Sequence, residues 1–243
     1  VLAAKGAGAV DYSAKTGKTV LHMDIGGGTA NLALIRDGKI LETGCLNVGG
    51  RLLKFDEQGV VTYVSPVVRS LTKLRPGEQA SRQQVEELAE VLVQTLEMAA
   101  GRRERTELME KLLTREAGLG WVEVPQDAVL SFSGGVADCI EKELSPFAFG
   151  DLGPLLGRAM KKSRLCRGAY RLGEQTIRAT VIGAGCHSAT LSGSTVFYQN
   201  VTLPVKNMPV AVVEEASQRD ADAIRRALHS GDAEQVVLAM PGQ

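Results

Sequence analysis

The chain has 243 residues, and its 28 basic and 28 acidic side chains leave no formal net charge. A balanced chain lacks the basic surplus that is typical of nucleic-acid-binding proteins. No apolar run approaches the roughly 18 residues that a membrane-spanning helix needs. Composition therefore predicts a globular protein of the cytoplasm, of one or two domains, with neither nucleic acid nor membrane as partner.

The first 18 residues are rich in Ala, Gly and Lys, and we interpret segment 1–18 as the remnant of a region that precedes the chain. Alternating or continuous apolar patterns then predict strands, and Asp37-Gly38 is typical of a two-residue hairpin turn between two of them. The strands predicted in this part of the chain are Thr19–Ile25, Ala30–Arg36, Lys39–Leu46 and Val60–Val64.

The apolar period changes from that of strands to that of helices at Ser81. Ser81 and Gln84 have the spacing of a capping box, and apolar residues from Val85 to Leu96 recur at helical intervals. A second helix is predicted over Glu104–Ala117, ending before Gly118. These two helices form a helical insertion at about residues 66–120.

Beyond the insertion, strands and helices alternate again. Val129–Phe132 is predicted as a strand that enters Ser133-Gly134-Gly135, with a helix to follow. The remaining predicted elements are helices at Pro154–Lys161, Thr176–Leu191 and Asp220–His229, and strands at Thr195–Tyr198, Val210–Val213 and Gln235–Met240. The four cysteines, Cys45, Cys139, Cys166 and Cys186, form no Cys-x-x-Cys pair and are predicted to be free thiols in a reducing compartment.

The turn Asp24-Ile25-Gly26-Gly27-Gly28-Thr29 joins the first two predicted strands. Consecutive glycines let backbone N–H groups converge on an anion, and the Thr29 hydroxyl adds a donor. Asp24, at the strand end, suits water-mediated binding of Mg²⁺. The turn is not a P-loop, which ends in Gly-Lys-Ser/Thr before a helix. An ordinary tight turn is the alternative, but three glycines exceed what a hairpin needs.

A second glycine pair, Ser133-Gly134-Gly135, follows the predicted strand Val129–Phe132. A strand that enters Gly-Gly and then a helix brings backbone close to a ligand. Taken alone, this pair is equally compatible with a structural turn. Its order after the first glycine turn favours two turns that face one nucleotide from two sides.

Three motifs occur in the order of the actin/heat-shock-chaperone/sugar-kinase superfamily: Asp24–Thr29, Ser133–Gly135 and Ala179–His187. They resemble its second phosphate loop, adenosine loop and second connecting helix. Longer stretches, among them HMDIGGGTANLALIRDGKI, CLNVGGRLL, LSFSGGVAD and TIRATVIGAGCHSATLSGST, resemble the EutA family of ethanolamine-utilisation proteins. The likeness runs from about Val10 to past Val213.

This resemblance implies an α/β fold, an actin-like ATPase (ribonuclease H-like) lobe. Its mixed five-stranded sheet would start with an antiparallel meander and be flanked by helices. The implied domains are a second ATPase lobe over 19–200 and a partial α/β segment over 201–243. The resemblance assigns the catalytic and Mg²⁺ role to Asp24. It assigns phosphate binding to Gly26, Gly27, Gly28 and Thr29, and adenosine binding to Ser133, Gly134 and Gly135.

The resemblance also implies a chaperone-like factor that uses ATP and Mg²⁺ to reactivate ethanolamine ammonia-lyase. Its partner would be the inactive, adenosylcobalamin-dependent lyase, and it would promote release of damaged cobalamin in or near the ethanolamine microcompartment. The superfamily's first phosphate loop, of the form Asp-x-Gly-Thr, is absent upstream of Asp24. We therefore expect a fragment with little ATPase activity of its own. Another actin-like or cell-division ATPase, a small-molecule kinase and a non-enzymatic lyase-docking module are the alternatives.

Overall fold

The computed structural model describes residues 1–114 and 123–173, and beyond these only the backbone of two short strands. The chain divides into two compact units, Val1–His187 and Ser188–Gln243. The second unit contributes the two strands β8 (Val210–Val212) and β9 (Val237–Ala239), which pair in parallel. Both lie within strands predicted from the sequence. The predicted helices Thr176–Leu191 and Asp220–His229 and the predicted strand Thr195–Tyr198 lie outside the described residues.

In its described residues, the first unit has α-helices of five to 18 residues and strands of three to eight residues. Its helices are α1 (Leu2–Gly6), α2 (Ala9–Thr16), α3 (Arg82–Ala99), α4 (Glu107–Leu112) and α5 (Gly153–Lys162). Its strands are β1 (Val20–Ile25), β2 (Ala30–Arg36), β3 (Lys39–Leu46), β4 (Leu53–Phe55), β5 (Val61–Val64), β6 (Val129–Ser133) and β7 (Tyr170–Leu172). No helix within the described residues is both long and apolar enough to cross a membrane.

Five strands form one mixed sheet in the order β3-β2-β1-β6-β7. β1, β2 and β3 are an antiparallel meander, while β6 and β7 add in parallel on the other side of β1. The turn between β2 and β3 has positive φ at both Asp37 (50°) and Gly38 (72°), as a two-residue hairpin turn requires. The predicted α/β class and the mixed five-stranded sheet that starts with an antiparallel meander are confirmed.

The two faces of the sheet pack against different groups of apolar residues, because side chains alternate along each strand. Leu21, Met23 and Ile25 of β1 point into the main core, which also contains the apolar faces of α3 and α5. Val20 packs in a smaller cluster that includes Ala4 and Ala9 of the first two helices. Segment 1–18, interpreted from the sequence as a remnant, therefore folds into α1 and α2 and packs on this second face.

The helical insertion begins as predicted and ends earlier than predicted. The Ser81 hydroxyl accepts a hydrogen bond from the Gln84 N–H (3.2 Å), and the Gln84 side chain accepts one from the Ser81 N–H (3.1 Å), which confirms the capping box. The second helix is α4 and not Glu104–Ala117. It stops because Thr114 turns to the edge of β3, where its N–H donates to the Cys45 carbonyl (3.1 Å). Residues 115–122 lie outside the described part.

The segment after β6 differs from the helix predicted there. Only one 3-10 turn, Ala137–Cys139, follows the glycine pair. This turn packs directly on α5, where a Cβ added to Gly157 would lie 2.5 Å from the Cβ of Cys139 and 2.7 Å from its carbonyl carbon. Close backbone approach at Gly157 thus holds the chain that leaves the second glycine turn.

Replacing Gly157 with alanine should destabilise the fold even though alanine is the better helix former. The added methyl has no room against Cys139, and overpacking of this kind costs about 1–3 kcal/mol. Urea unfolding followed by circular dichroism measures the change. Gly168→Ala is the matched control, since a Cβ there meets nothing within 4 Å. Equal unfolding free energies for the two variants would contradict the close approach.

Candidate functional site

The two glycine turns leave the sheet at the same edge, because β1 and β6 are neighbouring parallel strands. Asp24 at the end of β1 lies opposite Ser133 at the end of β6. The Val136 N–H, just beyond the second turn, donates to the Ile25 carbonyl just before the first (3.2 Å). The structure thus brings together the two turns that the sequence placed more than a hundred residues apart. The third motif of the resemblance, Ala179–His187, lies outside the described residues.

The first turn is tied to a neighbouring segment that the sequence analysis did not assign to the site. Within the turn, the Gly26 N–H donates to the Thr29 carbonyl (3.0 Å), and Thr29 is half-buried just before β2. The Gly26 carbonyl accepts from the Gly50 N–H (3.0 Å), and the Gly27 carbonyl accepts from the Arg51 N–H (2.6 Å). The Gly49-Gly50 pair at the end of the third strand was the signal for this contact.

Two glycines of the site are required by the fold itself. Gly134 has φ of +88°, and a Cβ on it would lie 2.3 Å from the Ile25 carbonyl oxygen. A Cβ on Gly49 would lie 2.5 Å from the Gly27 carbonyl carbon. The backbone therefore touches backbone at both positions. These contacts fix the two glycine turns, and the segment around Gly49, relative to one another.

Gly28 and Gly135 occupy positions where the fold does not require glycine. A Cβ added to either one meets nothing within 4 Å, and neither residue has a positive φ. Gly28 is also exposed. Glycine at such positions leaves backbone N–H groups open to a close ligand. One such open glycine lies on each of the two turns.

Asp24 takes part in a chain of hydrogen bonds that runs across β1 and β6. The Ser133 hydroxyl donates to Asp24 Oδ1 (2.8 Å) and also contacts His22 Nε2 (3.0 Å). His22 Nδ1 in turn contacts the Ser131 hydroxyl (3.1 Å). Since the single hydroxyl proton of Ser133 goes to Asp24, Ser133 must accept from His22, so the proton of His22 lies on Nε2. Ser131 then donates to Nδ1.

His22 is neutral in this chain because it is buried. Burial lowers its pKa to about 4, and the side chain is only 1% exposed. His22 was not among the site residues predicted from the sequence. Its spacing of two from Asp24, which places both on one face of β1, is the signal that could have found it.

Ser133 has a different position from the one its predicted role suggests. Its side chain is fully buried, and its hydroxyl lies between His22 and Asp24. It therefore reaches the edge of the sheet through Asp24, whose carboxylate it orients. Adenosine binding by Ser133, Gly134 and Gly135 stays a prediction.

Asp24 is the candidate for a metal ion in this part of the chain, and it is half-buried at the sheet edge. Among residues 1–114 and 123–173, no group of three or more His, Cys, Asp or Glu side chains gathers as a metal site. Mg²⁺ commonly keeps several waters and takes one or two carboxylates together with substrate phosphates. A single oriented carboxylate beside a glycine turn suits that kind of binding.

The strand order and the two glycine turns define an α/β lobe built on a mixed five-stranded sheet with an antiparallel meander. Residues 1–239 match the family described as "Ethanolamine utilisation protein EutA", and the chain belongs to this family.

Two curated relatives are each named ethanolamine ammonia-lyase reactivase EutA. The protein from Salmonella typhimurium LT2 is 38% identical over 99% of this chain and 53% of its own length. The protein from Escherichia coli K12 is 40% identical over 87% of this chain and 46% of its own. The chain thus spans about half the length of the curated relatives it matches.

A solved structure, the ethanolamine utilization protein EutJ from Carboxydothermus hydrogenoformans, is similar with a TM-score of 0.35 and 18% identity. The match covers 73% of this chain and 52% of that one.

Alanine should destabilise the chain at Gly134 and should not destabilise it at Gly135. Gly134→Ala meets the Ile25 carbonyl and a strained φ, so we expect a loss of at least about 2 kcal/mol. Gly135→Ala has open space and should leave the free energy of unfolding unchanged or raise it by about 0.5 kcal/mol. Thermal and urea unfolding of both variants provide the measurement. A loss at Gly135 as large as at Gly134 would show that Gly135 is also structural.

Stability should fall between about pH 6.5 and pH 4 because of His22. The unfolded chain takes up a proton on this imidazole in that range while the folded chain, with the pKa of His22 lowered to about 4, does not. The cost is absent above pH 6.5 and reaches about 3 kcal/mol near pH 4. Urea unfolding at several pH values compares wild type with His22→Gln, which has no imidazole. A parallel fall in both proteins would show that His22 is not the cause.

Proposed function

We propose that this chain is the nucleotide-binding lobe of an ATP-dependent reactivating factor for ethanolamine ammonia-lyase. The observation that carries the proposal is the pair of open glycines, Gly28 and Gly135, on two turns at one edge of an actin-like sheet. The family supports the lyase as partner, because both curated relatives bear the name of a reactivase for this enzyme. This chain matches about half of the length of those two relatives.

The described residues have distinct parts in nucleotide binding under this proposal. The backbone N–H groups of Gly27 and Gly28, with the Thr29 hydroxyl, bind the phosphates. Gly134 and Gly135 let the second turn approach the adenosine side. Asp24 holds Mg²⁺, and the hydrogen bond from Ser133 fixes the direction of its carboxylate.

Bound Mg-ATP supplies contacts to its γ-phosphate that are lost on hydrolysis, and such contacts bias a protein between two arrangements. This chain contributes a fixed half of the site, because backbone contacts at Gly49 and Gly134 leave its turns little freedom. We place the protein with its lyase at the ethanolamine microcompartment. There it would favour the form of the lyase that releases damaged cobalamin.

Asp24→Asn should abolish the dependence of lyase binding on nucleotide. The amide keeps the shape and can still accept from Ser133, but it lacks the charge that holds Mg²⁺. Immobilised chain is incubated with cobalamin-inactivated ethanolamine ammonia-lyase, with and without Mg-ATP, and the retained lyase is measured. Wild type should retain a different amount when Mg-ATP is present, and Asp24→Asn the same amount in both conditions.

Asp37→Asn is the matched control, because it removes a carboxylate from the other hairpin turn, where asparagine tolerates the positive φ. It should behave as wild type does. Lyase retained equally with and without Mg-ATP by all three proteins would favour the non-enzymatic docking module. No retention of the lyase under any condition would contradict the proposed function.

A further inference from the structure

The segment Gly49–Arg51 lies directly against the first glycine turn. Two backbone hydrogen bonds hold it there, from Gly50 to Gly26 and from Arg51 to Gly27. Gly49 makes this possible, because any side chain at that position would collide with the Gly27 carbonyl. The backbone of Arg51 is therefore fixed beside the phosphate-binding turn by the fold and not by its own side chain.

The side chain of Arg51 folds back across the turn. A Cβ added to Gly27 would lie 2.9 Å from Arg51 Cδ and 3.3 Å from Nε. The start of the guanidinium group is thus within a few ångströms of the glycine backbone. Because Gly27 has no side chain, it leaves room for the side chain of this arginine.

Arg51 is exposed, and its guanidinium has neither an ion pair nor a hydrogen bond to another residue in the parts of the chain that the structure describes. Other arginines of this unit are engaged. Arg82 pairs with Glu86, Arg103 pairs with Glu97, and Arg102 donates to the carbonyls of Pro125 and Ala128. Within the described residues, the donors of Arg51 are directed at no acceptor.

We propose that Arg51 binds the phosphates of a nucleoside di- or triphosphate held on the Gly26–Gly28 turn. A guanidinium presents its donors in a fork that matches phosphate oxygens, and such charge-assisted contacts are stronger than neutral ones. The turn supplies backbone N–H groups, and Arg51 adds the positive charge that glycines lack. This inference rests on the proposed nucleotide site and adds a side chain that neither the glycine motif nor the family resemblance assigned.

A structural role for Arg51 makes a different prediction from a binding role. If its aliphatic part only covers the turn, its removal changes stability and leaves nucleotide affinity alone. If its guanidinium binds phosphate, its removal lowers affinity for phosphate-bearing ligands and changes stability little, since the side chain is exposed. Affinity and stability must therefore be measured on the same variants.

The experiment is calorimetric titration of the chain with Mg-ATP and with inorganic pyrophosphate, for wild type, Arg51→Gln and Arg51→Lys. Arg69→Gln is the matched control, because Arg69 is also exposed and its loss changes the net charge by the same amount. We expect Arg51→Gln to lower the affinity for both ligands about tenfold or more. Arg51→Lys should fall between Arg51→Gln and wild type. Arg69→Gln should remain within about twofold of wild type, and the unfolding midpoints of all variants should stay close together.

Two results would overturn the inference, and they are distinguishable. If wild type binds Mg-ATP and Arg51→Gln binds as tightly as Arg69→Gln, Arg51 has no part in binding while the proposed function stands. If wild type shows no saturable binding of Mg-ATP, the result contradicts both the proposed nucleotide site and the role of Arg51. A loss of affinity confined to Arg51→Gln and, to a smaller degree, Arg51→Lys would establish the assignment.

Discussion

The parallel pairing of β1 with β6 is the contact on which the candidate site depends. It sets Asp24 opposite Ser133 and makes the two glycine turns leave the sheet side by side. The same pairing aligns His22 with Ser131, so that buried side chains on two strands form one hydrogen-bonded chain. A shift of the pairing by one residue would turn His22 and Asp24 toward the main core and away from Ser131 and Ser133.

The glycines of the site fall into two physical kinds, and the distinction gives the site its shape. Gly49 and Gly134 are places where backbone touches backbone. Gly28 and Gly135 face open space. Rigid contacts on the inner side of each turn thus hold the open positions on the outer side, which is how a site can be preorganised by chain segments that carry few side chains.

Many of the strands, turns and helix ends could be predicted, because they depend on local patterns in the sequence. Alternation gave the bounds of β2 and β3, the Asp37-Gly38 pair gave their turn, and Ser81 with Gln84 gave the start of α3. The three-residue strands β4 and β7 were missed because so few residues show no period. The contact of Arg51 with Gly27 was missed because it depends on pairing between segments, which single-chain periodicity does not contain.

The hydrogen bond between Asp24 and Ser133 joins residues that are 109 positions apart. Closing a loop of that length costs about 4 kcal/mol of chain entropy, which local elements such as the β2–β3 hairpin or the capped start of α3 do not have to overcome. The meander and the insertion helix can therefore exist before the two glycine turns meet. The candidate site assembles only when β1 and β6 pair, so a partly folded chain has the first glycine turn without the strand that brings the second one beside it.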